Sequence, residues 1–164
     1  MRIGIVAGEV SGDLLGAGLM HEIKKIYPNV VFEGIAGDLM QNEGCKAWYN
    51  SETLSVMGLF EPITQLPNLL LIRKKIYSKW LKNPPDIFIG VDSPDFNLTL
   101  EKKLRDKGIP TVHYASPSVW AWRQRRVKKI KKAVNKMLCF FPKCVLITTF
   151  LERHLRSHKV NEIE

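Results

Sequence analysis

The amino-acid sequence predicts an α/β protein whose core is a parallel β-sheet covered by crossover helices. Apolar runs of strand length alternate with stretches of helical periodicity, the order expected when each strand is followed by a helix. The 164 residues include 45% hydrophobic and 25% charged side chains, with 11 Gly and 9 Pro. That composition is typical of globular domains and excludes a disordered or collagen-like chain. No internal repeat or interdomain linker is visible, so one domain is expected.

Five strands are predicted from short apolar runs bounded by polar or turn-forming residues. They are Ile3–Ala7, Val30–Ile35, Asp86–Val91, Pro110–Tyr114 and Met137–Phe141. The stretch through Trp48 and Met57 has no regular pattern and predicts no element.

The helices are predicted from apolar side chains at helical spacing between these strands. They cover residues 14–26, Asp38–Gly44, Gln65–Leu81, Leu98–Lys107 and Arg123–Lys136. Leu14, Leu15, Leu19, Ile23 and Ile26 form the apolar stripe of the first helix. Asn97 is the predicted N-cap of the helix at Leu98–Lys107, and Gly108 is its C′ residue.

The charge balance predicts an acidic partner. The chain has 25 Lys and Arg against 16 Asp and Glu, a formal net charge of +9. Nucleic acid, an anionic membrane surface or a phosphorylated substrate would all fit this excess. The sequence has neither an apolar run of membrane-spanning length nor a signal-peptide pattern, so we expect a cytoplasmic, soluble or peripheral protein.

Cysteine and histidine spacing predicts neither a disulfide framework nor a metal site. Cys45, Cys139 and Cys144 form no CxxC pair. His154 and His158 lie four residues apart but lack a neighbouring glutamate or a third ligand. We therefore expect no metal and no thiol nucleophile.

Three polar segments each follow a predicted strand directly, and they predict a ligand cleft. They are AGEVSGD at 7–13, DSPDFN at 92–97 and ASPSVWAWR at 115–123. Because the carboxyl ends of parallel strands meet at one edge of a sheet, these segments should lie together.

In the first segment, Gly8 and Gly12 surround Glu9 and Ser11, so the backbone can approach a ligand at a helix N-terminus. The pattern is neither GxGxxG nor a P-loop. A plain strand-to-helix turn capped by Ser11 or Asp13 explains it equally well.

The second segment places Asp92 at the end of a strand. A carboxylate in that position is held rigidly, as a general base must be. Asp95 is a further candidate for substrate binding. The alternative is that Asp95 and Asn97 cap a helix while Asp92 stabilises the turn.

The third segment combines hydroxyls, two indoles and Arg123, and it runs into a strongly basic stretch. Indoles stack on sugars or bases, and arginine binds phosphate. A nucleic-acid-binding module is therefore the alternative function, although a solvated outer helix face also explains most of the lysines. The apolar, basic helix Gln65–Leu81 fits either an anionic membrane or acyl groove, or ordinary core packing.

Six motifs in order resemble the lipid-A-disaccharide synthase family. They are AGEVSGD at 7–13, GIAGDLM at 34–40, EGCKAWY at 43–49, SVMGLFE at 55–61, VDSPDFN at 91–97 and HYASPSVWAWRQRRV at 113–127. The resemblance extends from residue 1 to about residue 142 and implies the Rossmann-like first domain of a GT-B glycosyltransferase, with helices on both faces of its sheet. Such an enzyme would transfer a diacylglucosamine from UDP-2,3-diacylglucosamine to 2,3-diacylglucosamine 1-phosphate, without a metal or other cofactor. The products would be lipid A disaccharide 1-phosphate and UDP, formed at the inner face of the cytoplasmic membrane.

The resemblance also assigns roles to particular residues. Asp92 matches the family's base. The positions expected around the cleft are Gly8, Glu9, Ser11, Gly12, Met57, Glu61, Asn97, Ser116, Ser118, Trp122 and Arg123. No specific nucleic-acid partner is implied.

The sequence departs from the family after residue 142. Residues 143–164 do not follow its pattern, and we expect the second, UDP-binding domain to be absent. The expectation is a domain at 1–142 with a divergent tail, from a truncated, frameshifted or split form of the enzyme. Such a chain would have little or no activity alone, and a separate C-terminal half would be its partner.

Overall fold

The computed structural model describes residues 1–54, 66–115 and 130–138, and these form a parallel α/β sandwich. The six strands are β1 (Arg2–Ala7), β2 (Val31–Ala36), β3 (Lys46–Asn50), β4 (Ile87–Val91), β5 (Thr111–Tyr114) and β6 (Lys136–Leu138). All neighbouring strands are parallel, in the order β3-β2-β1-β4-β5-β6. The predicted fold class is confirmed.

Helices cover both faces of this sheet. They are α1 (Val10–Ile26), α2 (Asp38–Asn42), α3 (Leu66–Lys82) and α4 (Pro94–Arg105), and residues 130–133 are also helical. Successive side chains of a strand point to opposite faces. Ile3, Ile5 and Ala7 of β1 accordingly join the core beneath α1, whereas Val6 joins the core beneath α3 and α4.

Strand order creates a switch point at the centre of the sheet. From β1 the chain builds outward to β2 and β3, then returns to place β4 on the other side of β1. The connections that follow β1 and β4 therefore leave in opposite directions, which opens a crevice at the carboxyl ends of these two strands. Ligands of open α/β sheets bind in such crevices.

The sequence prediction missed β3, so the sheet has six strands among the described residues rather than five. Lys46–Asn50 is an edge strand whose central side chains are only half-buried, and its pairing with β2 shifts register between Gly34 and Ile35. An edge strand needs no continuous apolar run, so neither buried-strand pattern nor strict alternation marked it.

Both helices that begin at the switch point start earlier than the sequence predicted. α1 begins at Val10 rather than residue 14, and the Leu14 side chain in its predicted apolar stripe is 63% exposed. α4 begins at Pro94, whose fixed φ suits a first helical position. Asn97 is therefore inside the helix, and its prediction as N-cap is wrong.

The C-terminal end of α4 matches the predicted glycine stop. Gly108 has φ +83, its N–H donates to Arg105 O at 2.9 Å, and the Ile109 N–H donates to Leu104 O at 3.2 Å. This is a Schellman ending, which places Gly108 at C′.

The last described elements differ in boundary from the prediction. The helical residues end at 133, and β6 begins at Lys136, because Asn135 turns the chain by accepting the Thr111 N–H at 2.9 Å. The first half of the predicted helix Arg123–Lys136 and the end of the predicted strand Met137–Phe141 lie outside the described residues.

One side of α3 packs into the core. Trp80 is fully buried, with its ring centroid 5.1 Å from that of Phe88 and 5.2 Å from that of Trp48, and Ile76 is also buried. Leu70 and Leu71, near the start of the helix, are 51% and 53% exposed. Core packing thus accounts for part of the apolar surface of this helix and leaves a leucine pair outside it.

Candidate functional site

The turns after β1 and β4 meet at the switch point. A Cβ at Gly8 would overlap the Ser93 side chain, so only glycine allows the two turns to approach this closely. The Ser11 hydroxyl donates to Asp92 Oδ2 at 3.2 Å. Two of the three polar segments predicted to converge are therefore in contact.

The backbone after β4 is held in an unusual conformation. Asp92 and Ser93 both lie in the left-handed region, with φ values of 53° and 41°. Each such non-glycine residue costs about 1–3 kcal/mol and persists only where the surroundings enforce it. The Asp92 N–H donates to Tyr114 O at 2.9 Å, which ties this turn to β5.

The side chain of Asn97 stabilises the same turn from below. It is fully buried, and its Nδ2 donates to Asp92 O at 2.8 Å and to Val6 O and Val91 O at 3.3 Å. One amide group thus connects the ends of β1 and β4 and the turn that carries Asp92.

The Asp92 carboxylate lies directly after β4, on this fixed backbone. Its residue is half-buried, and the Ser11 hydroxyl is its side-chain hydrogen-bond donor among the described residues. An ionised carboxylate has about four acceptor positions. No other described residue donates a side-chain hydrogen bond to Asp92, so most of these positions are not used by the described part of the chain.

The other predicted residues of these two turns lie around Asp92. Glu9 is exposed and is the N-cap residue of α1, without a side-chain capping bond. Gly12 is buried in the first turn of α1, where a Cβ would lie 3.6 Å from Asp92 Cβ. Asp95 is exposed in the first turn of α4.

Two helix N-termini converge at the crevice. α1 and α4 both begin there, and neither N-cap residue makes a side-chain capping bond. Unpaired N–H groups and the positive end of the helix dipole favour negative charge at such positions. The end of the crevice that adjoins these turns is therefore suited to an anionic group.

Asp13 does not cap α1, which corrects one of the two readings of the first segment. Its buried carboxylate accepts the N–H groups of Gly37, Leu39 and Met40, at 2.8, 3.0 and 3.2 Å. These are the N-terminal donors of α2. Ser11 is not a cap either, since Glu9 is the N-cap residue.

The remaining predicted site residues cannot be placed. Met57, Glu61, Ser116, Ser118, Trp122 and Arg123 lie outside the described residues, as do most of the basic stretch and the segment 143–164. Ala115, the first residue of the third segment, follows β5 with φ 72°. Convergence of that segment on Asp92 stays a prediction.

Cys45 and the histidines were assigned no chemistry by the sequence. Burial raises the pKa of the Cys45 thiol to about 12, so the nucleophilic thiolate is scarce at neutral pH. His21 lies 3.6 Å from Glu43 at the surface. Within the described ranges, no group of three or more metal-ligating side chains occurs.

The sequence analysis missed one polar pair. Glu101 Oε1 and His113 Nδ1 lie 2.7 Å apart and both residues are fully buried. The signal available in the sequence was a glutamate at helical spacing from Asn97, but nothing local shows that this position faces the sheet.

None of the described helices has the length and apolar character required to cross a membrane.

The sheet order and the paired turns at the switch point define a Rossmann-like domain, and the carboxylate between these turns is its candidate ligand-binding position. The family model for lipid-A-disaccharide synthetase matches residues 3–146. The chain belongs to the lipid-A-disaccharide synthetase family, and this membership does not favour the nucleic-acid-binding alternative.

Curated relatives are similar over most of this chain. The lipid-A-disaccharide synthase of Hahella chejuensis is 54% identical over 160 residues, 98% of this chain and 39% of that protein. The Yersinia pestis and Aeromonas hydrophila synthases are 56% and 58% identical over 142 residues, 87% of this chain and 36% and 38% of those proteins. The chain therefore spans less than two fifths of the length of these relatives. The Hahella alignment is long enough to include most of the segment 143–164, whereas the family model ends at residue 146.

Proposed function

We propose that this domain carries the acceptor side and the general base of a GT-B glycosyltransferase of lipid A biosynthesis. The reaction is transfer of a diacylglucosamine from UDP-2,3-diacylglucosamine to the 6-hydroxyl of 2,3-diacylglucosamine 1-phosphate. The observation that carries the proposal is the Asp92 carboxylate, which is fixed at the switch point and receives one side-chain hydrogen bond from the described residues. Family membership supports the proposed substrate class.

In this proposal Asp92 accepts the proton of the acceptor hydroxyl as its oxygen attacks the anomeric carbon of the donor. The bond from that carbon to the UDP oxygen breaks, and UDP leaves with the electron pair. Ser11 orients the carboxylate, because a bond from its hydroxyl leaves the other oxygen of Asp92 directed to substrate. General-base catalysis by a positioned carboxylate typically contributes about 10²–10⁴ in rate.

The converging N-termini of α1 and α4 favour an anionic group beside Asp92. In the proposed reaction this group is a phosphate of a substrate. Gly8, Glu9 and Gly12 belong to the turn after β1 and the start of α1, and Asp95 belongs to the first turn of α4.

The acyl chains of the substrates require an apolar surface near the crevice. α3 begins at the carboxyl end of the sheet, and its exposed Leu70 and Leu71 precede Arg73, Lys74 and Lys75. Exposed leucines beside cations suit the surface of an anionic bilayer. We propose that this end of α3 rests on the inner face of the cytoplasmic membrane.

A chimeric enzyme tests the proposal directly. The aligned region of the Hahella synthase is replaced by this chain, and disaccharide formation is measured from UDP-2,3-diacylglucosamine and 2,3-diacylglucosamine 1-phosphate. We expect turnover that requires the acyl chains of the acceptor. A folded chimera that binds both substrates but forms no disaccharide would contradict the proposal.

The unfused chain provides the second arm. We expect it to bind diacylglucosamine 1-phosphate on vesicles, with a weaker affinity when Leu70 and Leu71 are both replaced by Ser. Leu81, which is 40% exposed at the other end of α3, supplies the matched control L81S. Equal binding by the double variant and the control would remove α3 from the proposed membrane contact.

A further inference from the structure

A buried polar pair lies beneath the Asp92 turn. Glu101 follows Asn97 by one helical turn on α4, and its Oε1 lies 2.7 Å from His113 Nδ1 of β5. Both residues are fully buried, and neither Glu101 Oε2 nor His113 Nε2 has a hydrogen-bond partner among the described residues. Burial raises the pKa of Glu101, and the hydrogen bond with His113 offsets part of that rise.

Such a pair is a poor source of stability. Replacing a buried ionisable pair with apolar side chains of similar volume is often neutral or stabilising, because desolvation offsets the attraction. Two unpaired buried atoms make this pair less favourable still. We therefore consider which parts of the structure the Glu101–His113 pair positions.

Gly90 makes room for the pair. A Cβ on Gly90 of β4 would overlap Glu101 Oε1 and would lie 3.0 Å from Asn97 Cβ and Cγ. Gly90 is also the register partner of His113 across β4 and β5. Glu101 and Asn97 therefore both pack against the sheet at Gly90, where no side chain intervenes. The contact between Glu101 and His113 links this part of α4 to β5.

The packing of Glu101 and Asn97 at Gly90 fixes the distance between α4 and the sheet next to the Asp92 turn. Asp92 follows Gly90 by two residues, and the Asn97 amide spans Asp92 O, Val91 O and Val6 O. The Asn97 amide has two hydrogens, so at least one of them is shared between two of the three carbonyl oxygens. Such sharing requires a fixed distance between α4 and the strand ends. The strained φ values of Asp92 and Ser93 require such external support.

We propose that the Glu101–His113 pair, acting through Asn97, positions the left-handed turn that carries Asp92. Glu101, His113 and Asn97 are then positioning residues. An effect of these residues on catalysis rests on the proposed function of Asp92, whereas their effect on the conformation of the Asp92 turn does not.

The test measures hydrogen exchange at the Asp92 amide, which donates to Tyr114 O. In the intact chain, Glu101 and His113 are replaced together by Met and Leu (E101M/H113L). We expect a thermal midpoint equal to or above that of the parent, with exchange at Asp92 faster by about tenfold or more relative to the β1 amides. Glu101→Gln, which retains a hydrogen-bonding group, should restore protection to within about threefold of the parent.

Thr111→Val is the matched control. Thr111 is fully buried at the other end of β5, where its hydroxyl lies within donating distance of Ala133 O, at 3.0 Å, and of Asn135 Oδ1, at 3.1 Å. Its loss removes a buried hydrogen bond from the same strand without touching the Asp92 turn, so exchange at Asp92 should change only in parallel with global stability.

An unchanged Asp92 amide in folded E101M/H113L would overturn the proposal. If that variant does not fold, Asn97→Ala is measured instead, and an unchanged amide there has the same consequence. In the active chimera, E101M/H113L should lower kcat by about tenfold or more with little change in KM for the acceptor. An inactive parent chimera would count against the proposed function alone, since the exchange result does not depend on it.

Discussion

Two aspartates at the same edge of the sheet have opposite surroundings. Asp13 is buried, and its carboxylate accepts three backbone N–H groups from the start of α2. Asp92 is half-buried and receives one serine hydroxyl among the described residues. Asp13 uses three of its roughly four acceptor positions within the fold, whereas Asp92 uses one among the described residues. Hydrogen-bond accounting, more than location, therefore separates the structural carboxylate from the candidate base.

The sharpest way to break this comparison is to remove the charge from each aspartate in the chimeric enzyme. Asp92→Asn should reduce the rate of disaccharide formation by a factor of about 10²–10⁴, because an amide cannot take up the proton of the sugar hydroxyl. Its thermal midpoint should change little, since among the described residues the substitution alters only the side-chain contact with Ser11. Initial rates and differential scanning fluorimetry measure the two effects. An Asp92→Asn enzyme with near-parental rates would disqualify Asp92 as the base.

Asp13 should show the reverse pattern. Asp13→Ala leaves three helix N–H groups without their acceptor and should lower the free energy of unfolding by about 2–4 kcal/mol. Urea unfolding of the chain measures this loss. A stability close to that of the parent would show that the three bonds contribute little.

The close approach of the two turns can be tested at Gly8. A Cβ there would overlap Ser93, so Gly8→Ala should push the Asp92 turn away from β1 and lower stability by about 1–3 kcal/mol. Gly18→Ala is the control, because a Cβ at Gly18 meets nothing within 4 Å. In the middle of α1 that change should stabilise by about 0.5–1 kcal/mol. Equal effects at the two glycines would contradict the packing of the turns.

A third carboxylate, Glu101, extends the comparison to pH. Burial raises its pKa in the folded chain above the ordinary value of 4.5, so near and above pH 4.5 the folded state retains a proton that the unfolded state releases. The free energy of unfolding should therefore fall as pH rises from about 4.5, by at most about 1.4 kcal/mol per pH unit from this group.

Glu101→Gln removes this dependence, so the stability of the variant relative to the parent should increase with pH over that window. Urea unfolding at pH 4.5, 5.5 and 6.5 gives the slope of the difference. A difference that decreases with pH would mean that folding favours the charged form of Glu101.

Much of the fold could be read from periodicity. The buried strands β1, β2, β4 and β5 are apolar because both of their faces are covered, and no predicted end of these strands differs from the structure by more than one residue. β3 could not be found in the same way, because an edge strand is defined by its pairing with β2 and not by burial. The helix starts at Val10 and Pro94 were missed because polar and glycine-rich sequences there resemble turns.

The candidate site likewise has features that the sequence predicted and features that it could not predict. Sequence position placed Asp92 and the first polar segment at strand ends, and that is enough to bring them to one edge of a parallel sheet. The sequence could not show that Asn97 points under the Asp92 turn or that Asp13 belongs to α2, because both depend on contacts between residues far apart in the chain.

By itself, the sequence determined the α/β class, the strand-end location of Asp92 and the family, since apolar periodicity and ordered motifs are properties of the chain alone. Only the tertiary structure decided that Asp13 accepts three backbone N–H groups while Asp92 accepts one described hydroxyl. It also decided that Glu101 contacts His113 beside Gly90. The physical reason is that hydrogen-bond satisfaction and burial depend on which distant groups the folded sheet brings within about 3 Å of each other.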